Sequence, residues 1–187
     1  MRKAFKIILA IFAVLIILVV AFAAVFFLDL ASYTATGSET LSPSGTSVGN
    51  ALVVYDPGLS GAAKDVASKV ASNLQTAGYT VNLAGVKSSA AANTTGYKII
   101  VAGGPVYAGA LTSSVKDFLS NLKPDQGAKV GVFGSGSGAT TPEDVAQIKD
   151  SVSAFQTGGS LSNAVVIKIG QKEDLNARTV DFVAQLK

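Results

Sequence analysis

The stretch from Tyr97 to Leu122 reads YKIIVAGGPVYAGALTSSVKDFLSNL and combines an apolar run, a glycine-proline break and an amphipathic segment. The run Lys98–Ala102 is too short for a free helix and is rich in β-branched residues, which predicts a buried strand. After Thr112, apolar residues recur at three- and four-residue spacing, which predicts a helix with one buried face. We expect the break at residues 103–105 to end the strand. The loop that follows would then lie at a strand's carboxyl end, where open α/β sheets bind ligands.

Strand and helix candidates alternate from Ala51 to the C-terminus. The first helix candidate places Val66, Val70 and Leu74 on one face, and Gly78 follows as a stop signal. A strand-helix-strand unit of this kind forms a right-handed crossover between parallel strands. The five predicted strands are Ala51–Tyr55, Tyr79–Ala84, Lys98–Ala102, Lys129–Phe133 and Val165–Ile169. The alternation predicts an α/β domain built on a parallel sheet.

The sequence GGPVYAG at residues 103–109, followed by SSVKDFL at residues 113–119, resembles the third-strand loop and helix of the flavodoxin family. The resemblance extends from about Ala51 to the C-terminus and does not include the residues before Val48. It implies a flavodoxin-like three-layer sandwich whose five-stranded parallel sheet has the order 2-1-3-4-5. It also implies that the domain binds flavin mononucleotide (FMN) with the loops after strands one, three and four.

The first of these loops, Asp56–Gly61, is the candidate phosphate cradle, because a glycine-containing turn that opens a helix presents free backbone N–H groups to an anion. The resemblance places the phosphate at Ser60, Gly61, Ala62 and Ala63. The family pattern there is close to TxTGxT, and this chain keeps only the Ser60 hydroxyl. The alternative is an ordinary turn between strand and helix, with Ser60 as the helix N-cap.

The other two loops supply the predicted walls of a flavin ring site. The resemblance places Tyr107 where an aromatic side chain stacks on the isoalloxazine ring. For Tyr107 the alternative is an ordinary half-exposed loop tyrosine. For the loop after the fourth strand the alternative is a flexible glycine turn. The third-strand loop contributes Pro105, Val106, Tyr107, Ala108 and Gly109, and the fourth-strand loop contributes Gly134, Ser135 and Gly136.

The chain contains no cysteine and no histidine, which excludes disulfides, thiolate chemistry, Cys/His zinc sites and histidine-based triads. Its twelve acidic residues form no clustered motif, so we predict no metal site. A hydrolase with Ser135 or Ser137 as nucleophile would lack a base other than lysine. The net charge of +3 arises before Ile7, and no basic stripe follows, so nucleic-acid binding is not predicted.

The first 50 residues differ in composition from the domain. We expect a basic tail at residues 1–6, a transmembrane helix at residues 7–28, a Ser/Thr/Gly-rich flexible linker at residues 29–50 and the flavodoxin-like domain at residues 51–187. The apolar run is long enough to cross a hydrocarbon core of roughly 30 Å. A signal peptide cleaved near Ala21-Phe22-Ala23 is the alternative. The basic tail predicts a cell-membrane protein with a cytoplasmic N-terminus and an extracytoplasmic domain.

The segment Lys87–Gly96 is rich in alanine, serine and asparagine and is predicted to hold one short helical turn. It also carries the sequon Asn93-Thr94-Thr95, which an extracytoplasmic domain would expose to glycosylation.

Two functional hypotheses follow. The first is a membrane-anchored FMN protein, either an electron carrier or an FMN-dependent reductase, that meets a redox protein partner. The second is a cofactor-free flavodoxin-like binding or scaffold module on the outer membrane face. The missing hydroxyls of the first loop and the separation from cytosolic flavin favour the second hypothesis, as does a neutral surface that would not steer basic partners.

Overall fold

The computed structural model of the chain describes residues 11–22, 35–156 and 158–187. The chain divides into two compact units, Met1–Tyr33 and Thr34–Lys187. In the first unit, residues 11–22 are helical and are named α1. Across the three described ranges, no helix combines the length and the apolar character that crossing a membrane requires. The predicted span at residues 7–28 lies partly outside these ranges.

The second unit alternates strands and helices. Its strands are β1 (Ser38–Leu41), β2 (Gly49–Tyr55), β3 (Tyr79–Gly85), β4 (Ile99–Tyr107), β5 (Ala110–Leu111), β6 (Lys129–Gly136) and β7 (Val165–Gly170). Its helices are α2 (Ala62–Thr76), α3 (Ser89–Ala92), α4 (Ser113–Asn121), α5 (Pro142–Asp150) and α6 (Leu175–Ala184), with a 3-10 turn at Ser153–Phe155.

The strands form one sheet in the order β1-β3-β2-β4-β6-β7, with β5 paired to β4. Its parallel part, β3-β2-β4-β6-β7, has the predicted order 2-1-3-4-5. The α/β flavodoxin-like fold is therefore confirmed, but the prediction of five strands is wrong because the sheet has seven strands in the described ranges.

The additional edge strand β1 lies inside the stretch that the sequence analysis assigned to the linker. It pairs antiparallel with β3, from Ser38 opposite Ala84 to Leu41 opposite Val81. The Thr40 hydroxyl donates to the Asn82 side-chain oxygen at 2.8 Å. Strands at the edge of a sheet can carry polar, exposed side chains. β1 therefore lacks the apolar periodicity by which a strand is predicted from sequence.

Two strands continue beyond their predicted ends. The expected break in β4 is wrong, because Gly103 pairs with Tyr55 and Phe133, and Pro105 pairs with Ser135. Beyond Tyr55, β4 has a parallel neighbour on one side only, which tolerates a proline without an N–H. Likewise Gly134, Ser135 and Gly136 do not form a loop, because they are the last residues of β6 and pair with β7.

Helices cover both faces of the sheet. One core lies under α2 and α6 and includes Leu74, Phe133 and Phe182. The other core lies under α3, α4 and α5 and includes Ile100 and Ile148. These side chains are fully buried, and each such burial contributes about 1.5–3 kcal/mol to stability. The two cores hold the strand ends, and hence the predicted site, on a rigid scaffold.

Candidate functional site

The three predicted site segments lie at the same edge of the sheet and contact one another. A Cβ placed on Gly58 would lie 2.6 Å from Pro105 Cγ and 3.1 Å from the Tyr107 hydroxyl. A Cβ placed on Gly134 would lie 2.5 Å from Val106 Cγ2. The first loop therefore packs against the end of β4, and the end of β4 packs against the end of β6.

The first loop presents backbone N–H groups at the N-terminus of the 15-residue helix α2. Ser60, Gly61 and Ala63 have amides that donate to no acceptor in the described part of the chain. The two preceding amides already have acceptors. The Gly58 amide donates to the Asp56 carboxylate at 3.0 Å, and the Leu59 amide donates to the Tyr107 hydroxyl. Free amides aligned with a helix dipole attract anions.

Ser60 does not cap α2, and the predicted N-cap is wrong. Gly61 occupies the N-cap position with φ 74°, a left-handed conformation that favours glycine. The Ser60 hydroxyl instead accepts a 3.4 Å hydrogen bond from the Ala62 amide. The hydroxyl is therefore held beside the free amides.

The second predicted segment is a tight hairpin rather than an open loop. Val106 pairs with Leu111 and Tyr107 pairs with Ala110, so that β5 folds back on β4. Ala108 and Gly109 form the tip with φ values of 50° and 82°. Positive φ at both central positions is typical of the type I′ turn that joins two-residue hairpins.

The Tyr107 side chain leans over the first loop from this hairpin. It is 50% exposed, and its hydroxyl accepts the Leu59 amide at 3.4 Å. At the hairpin tip, the Gly109 Cα faces the side chain of Gln147 on α5 so closely that a Cβ would collide with its carboxamide. The hairpin is thus held between the first loop and α5.

The residues of the third predicted segment, at the end of β6, divide between the two faces of the sheet. Gly134 and Gly136 face Val106, and Gly136 also faces the Lys168 side chain. Ser135 alternates with them and shares the opposite face with Phe133 of the α2/α6 core. Its two neighbours therefore contact the hairpin, whereas Ser135 does not face it.

Ser135 lines a cavity of about 290 Å³ between the first loop, β7 and the start of α6. The residue is 5% exposed, and its hydroxyl makes no hydrogen bond to the described residues but keeps contact with solvent in this cavity. Ser60 and Ala62 line the same cavity, as do the acidic residues Asp65 and Glu173. Because the hydroxyl opens onto this cavity, a ligand hydroxyl placed there could hydrogen-bond to it.

Asp56 is a functional candidate that the sequence analysis missed. Its carboxylate accepts the Thr112 hydroxyl at 3.0 Å and the Ser114 hydroxyl, in addition to the Gly58 amide. The carboxylate therefore ties the first loop to the N-terminus of α4. No local pattern signals this cluster, because Asp56 is more than fifty residues from the two hydroxyls in the chain.

A partly buried ion pair lies next to the end of β6. Lys168 is 6% exposed and its ammonium lies 2.9 Å from the Asp144 carboxylate. The bond to Lys168 and the Thr141 amide lower the pKa of Asp144 below its ordinary value of 3.8. Asp144 also forms a capping box with Thr141 at the start of α5. The pair was not predicted because a lysine within an apolar strand gives no sign of its partner.

Glu173 holds the loop before α6 beside the cavity. Its Oε2 accepts the Gly170 amide at 2.6 Å and the Thr140 hydroxyl at 2.7 Å. Burial raises the pKa of Glu173, but these bonds and the charge of Arg178 outweigh burial and hold the pKa below its ordinary value of 4.5. In the parts of the chain that the structure describes, no three acidic side chains approach closely enough to hold a metal ion.

The sequence model of the flavodoxin domain matches residues 53–162. The chain belongs to the flavodoxin domain family. A comparison with curated proteins finds no significant sequence match.

Three solved structures with the same fold match the chain over nearly their whole length. Flavodoxin 2 from Bacillus cereus is 22% identical with a TM-score of 0.50, covering 73% of this chain and 99% of its own. The flavodoxin from Streptococcus pneumonia TIGR4 is 20% identical with a TM-score of 0.54, covering 73% and 96%. An NADH:FMN oxidoreductase in its apo form is 15% identical with a TM-score of 0.55, covering 75% and 91%. At these identities the likeness concerns the fold.

Proposed function

We propose that this flavodoxin domain binds FMN and acts as an electron carrier or as an FMN-dependent reductase. The observation that carries the proposal is the set of amides at Ser60, Gly61 and Ala63 that lack an acceptor among the described residues, next to the cavity that Ser60 and Ser135 line. Solved relatives that are flavodoxins and an NADH:FMN oxidoreductase support the choice of cofactor.

The phosphate of FMN fits the first loop. Three free amides and the dipole of α2 supply the attraction that the family pattern supplements with side-chain hydroxyls. Each hydrogen bond to a charged phosphate contributes about 1.5–3 kcal/mol, so the hydroxyls absent at Ala62 and Ala63 weaken the cradle without removing it. Exposed Lys64, in the first turn of α2, adds a positive charge nearby.

The hydroxylated chain of FMN fits the cavity beside the phosphate. Ser135 offers a hydroxyl that can both donate and accept, and Ser60 lies on the same wall. Val66, Ile169 and Leu175 form the apolar part of the lining, beside the acidic residues Asp65 and Glu173. A polyol could satisfy Ser135 without disturbing the apolar wall.

Tyr107 and the hairpin tip are the residues best placed to contact the flavin ring. The half-exposed Tyr107 ring offers an aromatic face, and the Ala108–Gly109 turn offers backbone atoms to the ring edge. The bound flavin supplies the electron-transfer chemistry, while the chain binds it, orients it and restricts water.

We further propose that the apolar run at residues 7–28 anchors the chain in a cell membrane, with its N-terminus in the cytoplasm and the flavodoxin domain outside. The support is the uncharged length of the run and the basic residues that precede it. The partner would be a redox protein on the same membrane face. Protease accessibility of the domain in intact cells tests this topology.

FMN titration of the full chain in detergent micelles tests the cofactor. We expect saturable quenching of flavin fluorescence at one FMN per chain. Riboflavin is the matched ligand without a phosphate, and it should bind at least about tenfold more weakly, the equivalent of about 1.4 kcal/mol. An absence of FMN binding at high micromolar concentration would contradict the proposal. Any shortened form should begin before Ser38, since later truncation removes β1.

A cofactor-free binding module is the second candidate. The observation that favours it is the contact between segments: Tyr107 reaches Leu59, and Val106 covers Gly134. These contacts fill the space between the first loop, the hairpin and β6 with the chain's own side chains. The same titration decides between the two functions, because this module would bind neither FMN nor riboflavin.

A further inference from the structure

The residue Asn93 follows the short helix α3 and leads into an exposed segment before β4. Its Oδ1 accepts two hydrogen bonds from Thr95, one from the amide at 3.2 Å and one from the hydroxyl at 2.8 Å. Asn93 and Thr95 are both exposed, and Thr94 between them is partly buried. The sequon is therefore folded into a compact Asx-turn on the surface.

The hydrogen bonds leave the amide nitrogen of Asn93 available. Its Nδ2 donates to no acceptor among the residues that the structure describes, whereas Oδ1 carries both bonds from Thr95. A hydroxyl that donates to the amide oxygen polarises the carboxamide. Nδ2 is therefore the atom of the exposed Asn93 carboxamide that has no hydrogen bond to the described residues.

We propose that Asn93 is an N-glycosylation site. The donor would be an oligosaccharide linked to a lipid phosphate, and a membrane transferase would catalyse the step. A bond forms between Asn93 Nδ2 and the anomeric carbon, the bond from that carbon to the phosphate oxygen breaks, the leaving lipid phosphate takes the electron pair, and a base on the transferase takes one Nδ2 proton. The inference rests on the proposed extracytoplasmic topology, because such transfer takes place on that side of the membrane.

The position of Asn93 keeps a glycan away from the candidate cofactor site. Three residues further on, the Gly96 amide donates to Asp125 at 2.7 Å, in the turn that precedes β6. This turn lies at the amino ends of the parallel strands, whereas the first loop and the hairpin lie at their carboxyl ends. A glycan on Asn93 and FMN at the other edge are compatible in one molecule.

Mass spectrometry of the full chain isolated from its own cells tests the site. We expect a peptide containing Asn93 whose mass exceeds the sequence value by a whole number of sugar residues. Asn93→Gln and Thr95→Val should remove the increment, and Thr95→Ser, which keeps the hydroxyl, should retain it. Exposed Asn163 is followed by Ala-Val and is not in a sequon, so Asn163→Gln is the matched control that should keep the increment.

An unmodified Asn93 in the wild-type chain would overturn the inference. Protease treatment of intact cells then identifies which premise failed. If the domain is digested, the topology stands and only glycosylation is wrong. If the domain is protected, both the proposed topology and the proposed glycosylation are wrong. FMN titration is independent of both outcomes, because the sequon and the candidate site lie at opposite edges.

Discussion

The Tyr107 hydroxyl oxygen lies 3.4 Å from the Leu59 amide nitrogen and joins the β4–β5 hairpin to the first loop. A neutral hydrogen bond contributes about 0.5–1.5 kcal/mol, and this distance is longer than the roughly 2.7–3.2 Å that is usual for an N–H···O bond. A ligand that gains a stacking contact with the ring can therefore displace it. Tyr107 therefore covers the first loop through this contact, and its ring is also a candidate to stack on the flavin.

Replacing Tyr107 separates these two roles. Tyr107→Ala removes the aromatic face and should weaken FMN binding by about 1–3 kcal/mol. Tyr107→Phe keeps the ring and releases Leu59, so FMN affinity should stay within about threefold of wild type or rise, a change below about 1 kcal/mol. Fluorescence titration measures both variants. Tyr97→Phe, which removes a hydroxyl bonded to Asn82 away from the site, is the control. Equal affinity of Tyr107→Ala and wild type would remove Tyr107 from the site.

Ser135→Ala tests the unpartnered hydroxyl. Without cofactor we expect stability to be nearly unchanged, because the hydroxyl opens onto the cavity and makes no hydrogen bond to the described residues. FMN affinity should fall by about 0.5–1.5 kcal/mol, the value of one neutral hydrogen bond. Thermal unfolding and FMN titration are the measurements. Ser137→Ala, at an exposed position, should change neither quantity. If the Ser135→Ala variant binds FMN as tightly as wild type does, the cavity is excluded from the site.

Asp56→Ala should destabilise the domain and disturb the first loop together. The carboxylate accepts bonds from Gly58, Thr112 and Ser114, and hydrogen bonds to a charged group contribute about 1.5–3 kcal/mol each. Because Asp56 is partly exposed and water replaces part of the loss, we expect a total of about 2–3 kcal/mol by urea unfolding. Asp117→Asn on the exposed face of α4 is the control. A loss no larger than that of the control would show that the cluster does not hold the loop.

Acid should destabilise the domain through Asp144 and Glu173. Both have a pKa below the ordinary value, so the unfolded chain binds protons at a higher pH than the folded chain does. Their contribution is complete above the ordinary values of 3.8 and 4.5, and is lost as pH falls through the lower folded values.

Thermal unfolding between about pH 6 and pH 3 measures this loss. We expect Asp144→Asn and Glu173→Gln to have a lower Tm near neutrality and a shallower decline with acid. Glu143→Gln, on an exposed neighbour of Asp144, should decline as steeply as wild type. Parallel curves for all four proteins would contradict the assignment.

The residues that stabilise the parallel core could be found from the sequence. The periodicity of Val66, Val70 and Leu74 predicts the buried face of α2, and all three are buried. The apolar strand runs likewise predict their burial on both faces, because a strand between two helical layers excludes polar side chains. The ends of the strands were less predictable. Gly103 and Pro105 are typical of a strand break, yet β4 continues through them because both residues pair with the neighbouring strand β6.

The sequence by itself determined the order of strands and helices, the burial of their apolar faces and the place of the three candidate segments at one sheet edge, because these follow from the spacing of neighbouring residues. Only the tertiary structure decided that β1 covers the edge of β3, that Ser135 and Gly134 point to opposite faces, and that Asp56 meets Ser114. The contacts of β1 and Asp56 join residues tens of positions apart, and their partners are chosen by the packing of the whole sheet rather than by any local pattern.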